Sequence, residues 1–316
     1  MILTSMYDLA ILGGGPAGVA AGVYAARKHL KTLFITESWG GQSTESMGIE
    51  NWIGTVKISG LEFAEILEKH LRAYAADLVD IHAGEKVLKV TKNSSTGSGQ
   101  ATFTIKTDKS EYEAKTILIA TGSQRRKLQI PGAKEFENKG ITYCASCDGP
   151  LFADKDVVVI GGGNAGFETA AQLLAYCKSV TLITHGPFRA DPVTIKKVLE
   201  NPKMKAYENA TPIEIKGNKF VTSVIYQDEI SKRTVEIPAE GVFVEIGLIP
   251  STNYVKDLVP LNQYGQIIID PRTSQTQTKG IWAAGDSTDT LYHQNNIAAG
   301  DAVRALEDIY MHLHAK

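Results

Sequence analysis

Tyr7-Asp8-Leu9-Ala10-Ile11-Leu12, followed by Gly13-Gly14-Gly15-Pro16-Ala17-Gly18, is an apolar run that ends in a glycine-rich turn. The alanine-rich stretch to Arg27 reads as a helix and Thr32-Leu33-Phe34-Ile35 as the next strand, which together make one βαβ unit. In a G-x-G-x-x-G turn each glycine has its own physical reason. Gly13 permits the tight turn, Gly15 lets a pyrophosphate approach the backbone, and Gly18 lets helix and strand pack closely, with the phosphates at the positive N-terminus of the helix. Glu37 closes the second strand about 20 residues on, where an acid binds ribose hydroxyls. The pattern returns at Asp156-Val157-Val158-Val159-Ile160, Gly161-Gly162-Gly163-Asn164-Ala165-Gly166, an Ala/Leu-rich helix, and Val180-Thr181-Leu182-Ile183. The chain therefore carries two divergent copies of a nucleotide-binding half-fold, and the fold class is α/β with two Rossmann-like dinucleotide-binding domains.

Between the copies, Lys86 to Lys106 alternates apolar and polar residues around Asn93-Ser94-Ser95-Thr96-Gly97-Ser98-Gly99, the pattern of a β-hairpin with a flexible tip. Asn93-Ser94-Ser95 also matches a glycosylation sequon, read here as a polar turn. Thr116 to Gly122 is a buried strand ending in a small-residue turn. Strands follow around Phe220–Val224, Gly241–Ile246 and Gln266–Asp270, with a turn at Gly247-Leu248-Ile249-Pro250. Gly280 to Asp286 is a strand running into a glycine turn, and Asn296 to His312 has the apolar spacing of a helix. His312 and His314 are two apart, do not share a helix face and make a poor metal pair.

The composition is that of a globular protein: 316 residues, 43% hydrophobic, 22% charged. A net charge of −2 gives no electrostatic reason to expect nucleic acid or an anionic membrane. No apolar run is long enough to span a bilayer, and Met1 to Met6 is too short for a signal peptide. Three cysteines make no secreted disulfide framework, so a reducing cytoplasm is the expected compartment.

Two of those cysteines form Cys144-Ala145-Ser146-Cys147, with Asp148-Gly149-Pro150 directly behind. A C-x-x-C serves zinc ligation, redox exchange or plain packing. Structural zinc needs four ligands, and neither a second C-x-x-C nor a paired His cluster accompanies this one, so no metal is expected. Redox work remains: the spacing closes a small disulfide ring, and the local field can hold one thiol as a thiolate. Asp148 beside it suits a proton donor to a leaving thiolate, or else a turn cap before glycine. Cys177, in a helical stretch, reads as core packing.

With these motifs in order, nearly the whole chain, from Tyr7 to about Ala305, resembles the low-molecular-weight thioredoxin reductases and the reductase portion of the alkyl hydroperoxide reductase flavoproteins. The resemblance rests on the two glycine loops, Gly40-Gly41-Gln42, Glu50-Asn51, Ala120-Thr121-Gly122, Cys144-x-x-Cys147-Asp148-Gly149, and Gly285-Asp286 followed by Gln294. It implies that the first loop binds FAD, with Gly41, Gln42, Asn51, Thr121 and Gly122 around it, Glu37 on the adenosine ribose, Asp286 on the ribitol and Gln294 beside the flavin. The family's usual arginine before that glutamine and alanine after it are His293 and Asn295 here. The FAD domain is then discontinuous, 1–121 and 248–316, with the nicotinamide domain, 122–247, inserted and carrying the dithiol. By the same resemblance, Cys147 faces the flavin, Cys144 attacks the partner disulfide, Gly122 and Gly247 neighbour hinges, and the enzyme is a homodimer.

The second loop, Gly161, Gly163 and Gly166, is expected to hold a nicotinamide dinucleotide. NADPH-dependent relatives follow the next strand with a basic run beginning His-Arg-Arg, whereas this chain reads Thr184-His185-Gly186-Pro187-Phe188-Arg189. A 2′-phosphate wants paired cationic donors, and only His185 and Arg189 remain as candidates, which tilts the expectation from NADPH to NADH. NADH-preferring relatives place an acid at the strand end, where Thr184 stands. The expected function is electron transfer from NAD(P)H through FAD and Cys144/Cys147 to a thioredoxin- or glutaredoxin-like protein. Because the sequence starts at the first nucleotide strand with no thioredoxin-like domain ahead of it, the thioredoxin reductase role is favoured over the peroxide one. A disulfide reductase fed by a ferredoxin-type donor, and a redox-responsive flavin-binding protein without turnover, are the alternatives.

Overall fold

The structure, a computed structural model, describes residues 6–46, 48–93 and 101–315. It divides into two compact units: one runs to Gln124 and resumes at Ile249, and the other is Arg125–Leu248.

In the first unit, strand β1 (Tyr7–Gly14) leads into helix α1 (Pro16–Arg27) and strand β2 (Thr32–Trp39). Pro16 at the first helical position starts α1 without needing an N–H partner. The alanines and valines that follow are buried nearly all round, as in a helix packed on both sides. Helix α2 (Gly60–Ala75) opens on a capping box: Ser59 Oγ accepts the Glu62 N–H, and Glu62 Oε2 accepts the Ser59 N–H at 3.1 Å. Its buried residues Phe63, Leu67, Leu71 and Ala75 recur every four and form one face. Strands β3 (Val79–Ala83), β4 (Val87–Lys92), β5 (Phe103–Thr107) and β6 (Glu111–Ile119) complete this part. The β4–β5 pair is the antiparallel hairpin the alternation predicts; its tip, 94–100, lies outside the described residues.

The chain crosses over through β7 (Ser123–Arg125). The second unit then contains β8 (Ile141–Thr142), the short helix α3 (Ala145–Asp148), β9 (Asp156–Ile160), α4 (Asn164–Leu173), β10 (Ser179–Ile183), α5 (Pro192–Leu199) and β11 (Met204–Tyr207). Three antiparallel strands follow, β12 (Ala210–Gly217), β13 (Val221–Asp228) and β14 (Thr234–Pro238), and then β15 (Gly241–Val244). The return crossing is β16 (Leu248–Pro250), and the first unit closes with β17 (Ile281–Ala283) and helix α6 (Asn295–His314).

Two sequence expectations are corrected. Gly247–Pro250 is not a simple turn, because Leu248–Pro250 is a strand paired with β7. Ser251 N–H donates to Gly122 O and Arg126 N–H to Gly247 O, each at 3.0 Å, so the outgoing and returning segments run side by side. The division between the compact units falls at Gln124/Arg125 and Leu248/Ile249. Gln266–Asp270 makes only isolated bridges through Ile267 and Ile269. Its apolar side chains fill the core, and that burial, not a ladder, explains the apolar run.

Both main sheets are wound alike. In the first unit the order is β3-β2-β1-β6, all parallel, and the far side of β6 is shared by β5, antiparallel, and β17, parallel. One core face packs α1, α2 and α6, and the other holds Val255, Val259, Ile267 and Ile269. In the second unit the order is β11-β10-β9-β15-β8, all parallel. Parallel strands put their carboxyl ends at one edge, which is where ligand sites of such sheets lie. No helix among the described residues is long and apolar enough to cross a membrane.

Trp282 is the largest fully buried side chain, with its indole N–H donating to Asp308 Oδ2 at 3.0 Å and its ring edge-on to His312. Trp282→Ala is expected to cost about 3–5 kcal/mol of unfolding free energy, read from urea denaturation, through the cavity it leaves.

Candidate functional site

The first unit builds its site at the carboxyl ends of β1, β2, β6 and β17. Gly13 has φ +120°, and a Cβ there would lie 2.3 Å from Ala120 O, so the loops after β1 and β6 meet without room for a side chain. A Cβ on Gly18 would be 1.8 Å from Gly13 O, which brings the start of α1 directly onto the end of β1. Gly15 is the opposite case: nothing lies within 4 Å of its Cβ position. Gly15 is also the N-cap of α1, and no side chain caps it, so the first N–H groups of the helix face that open space. This is a cradle of the shape and polarity that a pyrophosphate fits. Gly41, with φ +56°, lies across from it, its Cβ position 3.7 Å from Gly15 Cα.

Two hydrogen-bonded groups join residues far apart in sequence. Gln42 Nε2 donates to Ser123 Oγ at 3.1 Å and to Asp286 Oδ2 at 3.4 Å. Asp286 in turn lies 3.5 Å from His293 Nδ1, a buried ring nitrogen with no hydrogen-bond partner of its own. Asn51 Nδ2 donates to Gln294 Oε1 at 3.1 Å, and Asn296 Nδ2 to Asn51 O at 2.8 Å. Thr121 Oγ1 donates to Ser251 O at 2.8 Å, beside Gly122. Glu37 is exposed and paired with Lys86 at 3.1 Å. The motif did not point to Asn296, or to the Ser43 hydroxyl that donates to Asn295 Oδ1 at 2.9 Å. Of the two unusual residues, Asn295 thus has a hydrogen-bond partner, while His293 only lies against Asp286.

The second unit repeats the cradle. A Cβ on Gly161 would lie 2.1 Å from Glu245 O, one on Gly166 would lie 2.0 Å from Gly161 O, and Gly163 is open. Gly163 is the N-cap of α4, again without a side-chain cap. The loop after β10 folds back onto this turn, with Arg189 N–H donating to Gly162 O at 2.8 Å. His185 and Arg189 are both exposed there.

The dithiol enters the same sheet edge from β8. Cys144 and Cys147 form a disulfide, and Cys144 is the N-cap of α3, its Sγ accepting the Cys147 N–H at 3.2 Å. Asp148 is half-buried and accepts a hydrogen bond from the Thr142 hydroxyl. Burial pushes its carboxyl above the usual aspartate range, against the opposing effects of that hydrogen bond and of Arg125. The carboxyl therefore holds its proton more tightly than a free one. Cys177 is fully buried, its thiol pushed up to about 11 by burial, which leaves it inert as a nucleophile. Glu245 was not anticipated. It follows β15 and accepts the Thr169 hydroxyl at 2.9 Å, and burial raises its carboxyl as well. An acid closing the apolar run Gly241-Val242-Phe243-Val244 was the available signal. Among the described residues, no group of three or more His, Cys, Asp or Glu is arranged to hold a metal.

The family model described as pyridine nucleotide-disulphide oxidoreductase matches residues 7–302. Over 309 residues the chain is 38% identical to an alkyl hydroperoxide reductase polypeptide from Pseudomonas aeruginosa, covering 97% of this chain and 58% of that protein. It is 36% identical over 301 residues to a Bacillus subtilis protein named NADH dehydrogenase, covering 95% and 57%. The chain thus spans well under two thirds of these curated relatives. Among solved structures it is similar to thioredoxin reductase from Streptococcus pyogenes, at 33% identity and TM-score 0.87, covering 99% and 100% of the two chains. It is also similar to thioredoxin reductase from Giardia duodenalis, at 29% identity and TM-score 0.89, covering 98% and 99%.

The Asp148 shift fixes the sign of a pH effect. A carboxyl whose folded pKa is raised stabilises the fold below its unfolded pKa, and that contribution is lost as pH rises through the folded pKa. Asp148→Asn removes this loss. Its stability relative to the unsubstituted protein is expected to improve as pH rises from the acid side of the aspartate range to neutral, measured by urea melts at a series of pH values.

Proposed function

The chain belongs to the pyridine nucleotide-disulphide oxidoreductase family, and on that footing we propose that it is a flavoprotein disulfide reductase passing electrons from NADH through FAD and the Cys144–Cys147 disulfide to a thioredoxin-like protein. The observation that carries this reading is the Cys144–Cys147 disulfide with a half-buried acid, Asp148, directly behind it, in the unit that also holds the second open glycine cradle. On this reading FAD is held by the Gly13–Gly18 turn, Glu37, Gly41, Gln42, Asn51, Thr121, Gly122, Asp286 and Gln294. The dinucleotide is held by Gly161, Gly163, Gly166, His185 and Arg189. The missing arginine pair after Thr184, and a relative that carries the name NADH dehydrogenase, support NADH over NADPH. A homodimeric, cytoplasmic enzyme belongs to the proposal on the family resemblance alone.

Bound FAD supplies a two-electron relay between a hydride donor and a disulfide. The rest is the work of this chain's residues. Two electrons and two protons open the Cys144–Cys147 bond to a pair of thiols. Cys144, whose sulfur already accepts the Cys147 N–H, is the thiolate that attacks the partner's disulfide. One partner sulfur joins Cys144 in a mixed disulfide, and the other leaves as a thiolate that takes a proton from Asp148. Cys147 then attacks Cys144 Sγ, which re-forms the internal disulfide and releases the reduced partner.

Cys147→Ser is expected to lower reduction of a thioredoxin-like disulfide by about 10³-fold or more, since the internal disulfide can no longer form, while bleaching of the flavin by NADH persists. Unchanged turnover in that variant contradicts the proposal. Gly15→Val is expected to strip FAD from the purified chain while leaving the melting temperature of the apoprotein nearly unchanged, because the added side chain enters open space rather than the core. Flavin absorbance per chain and a thermal melt check this.

A further inference from the structure

In a βαβ nucleotide fold, the acid at the end of the second strand bonds the ribose 2′-hydroxyl, and in the second unit that position is Thr184. A carboxylate stands at the end of the neighbouring strand. β11 runs parallel to β10 with Ile183 opposite Tyr207, so Glu208 leaves its strand at the level where Thr184 leaves β10. Thr184 N–H donates to Tyr207 O at 3.1 Å and Ala210 N–H to Thr184 O at 2.8 Å, which ties the two strand ends together. Glu208 Oε1 accepts the Phe188 N–H at 2.7 Å. Phe188 belongs to the 185–189 loop, whose Arg189 N–H bonds back to the glycine turn at Gly162. The carboxylate is therefore fastened into the loop that follows the nucleotide strand, while the side chain remains exposed.

We propose that Glu208 is a specificity-determining residue of the second nucleotide site, accepting the adenosine ribose 2′-hydroxyl and repelling a 2′-phosphate. The inference rests on the reading of Gly161–Gly166 as the nicotinamide dinucleotide site. Its chemistry is that of a displaced acid. The strand-end selector moves from β10 to β11, and its charge opposes the phosphate that His185 and Arg189 would have to hold. A 2′-phosphate wants bidentate cationic partners; here it would meet a single arginine, His185 and one carboxylate.

The test uses the FAD-loaded full chain and two probes that carry no hydride, ADP-ribose and 2′-phospho-ADP-ribose, titrated by calorimetry. The unsubstituted chain is expected to favour ADP-ribose by about tenfold or more, a size consistent with one close like-charge contact. Glu208→Gln, which keeps an acceptor for the Phe188 N–H, should shrink that ratio about tenfold, mainly by tightening the phosphorylated probe. Glu208→Lys should shrink it further or reverse it. A ratio that stays the same in both variants, or a starting preference for the phosphorylated probe, overturns the assignment of Glu208 while leaving the nucleotide site standing. Binding of neither probe to the unsubstituted chain overturns the nucleotide site itself, and Glu208 with it.

Discussion

No side chain fits between the start of α1 and the carbonyl of Gly13, or between the start of α4 and the carbonyl of Gly161, and both nucleotide cradles depend on this. At Gly18 and Gly166 the missing Cβ would stand 1.8 Å and 2.0 Å from those oxygens. Such contact lets each helix begin on top of its strand, and it aims the uncapped helix N–H groups at the open space over Gly15 and Gly163. A larger residue would push helix and strand apart and turn those donors away. The two units thus repeat one steric solution, and what each does is set by the residues placed at the other strand ends around it.

In the second unit those strand ends form a short inventory. β8 delivers Cys144, β9 the glycine turn, β10 Thr184, β11 Glu208 and β15 Glu245. A parallel sheet collects all of them on one edge. The acids there are not equivalent. Asp148 and Glu245 are buried enough that their protons are held more firmly, whereas Glu208 is exposed and bonded to a backbone N–H. Burial sets those two carboxyls apart from the exposed charge of Glu208.

The doubly wound architecture was legible because short apolar runs, glycine turns and alanine-rich helices repeat at both Tyr7 and Asp156. The disulfide was legible because Cys144 and Cys147 lie within four positions. Contacts of Gln42 with Asp286 and of Asn51 with Gln294 were not, since each joins residues more than 240 positions apart and only the closed sheet brings them together. The placement of Glu208 was hidden for a related reason: it comes from the register of β11 on β10, and register is not written in either strand alone. Gln266–Asp270 misled because burial in a core gives the same apolar run as a strand.

If one chain connects a nicotinamide to a disulfide, anaerobic titration of the FAD-loaded chain with NADH, followed by thiol counting after denaturation, should show it. Uptake of about two equivalents of NADH per chain is expected, one for the flavin and one for the dithiol, since each is a two-electron couple, with the appearance of Cys144 and Cys147 as new thiols. Uptake of a single equivalent with no new thiols, or no bleaching at all, would contradict it.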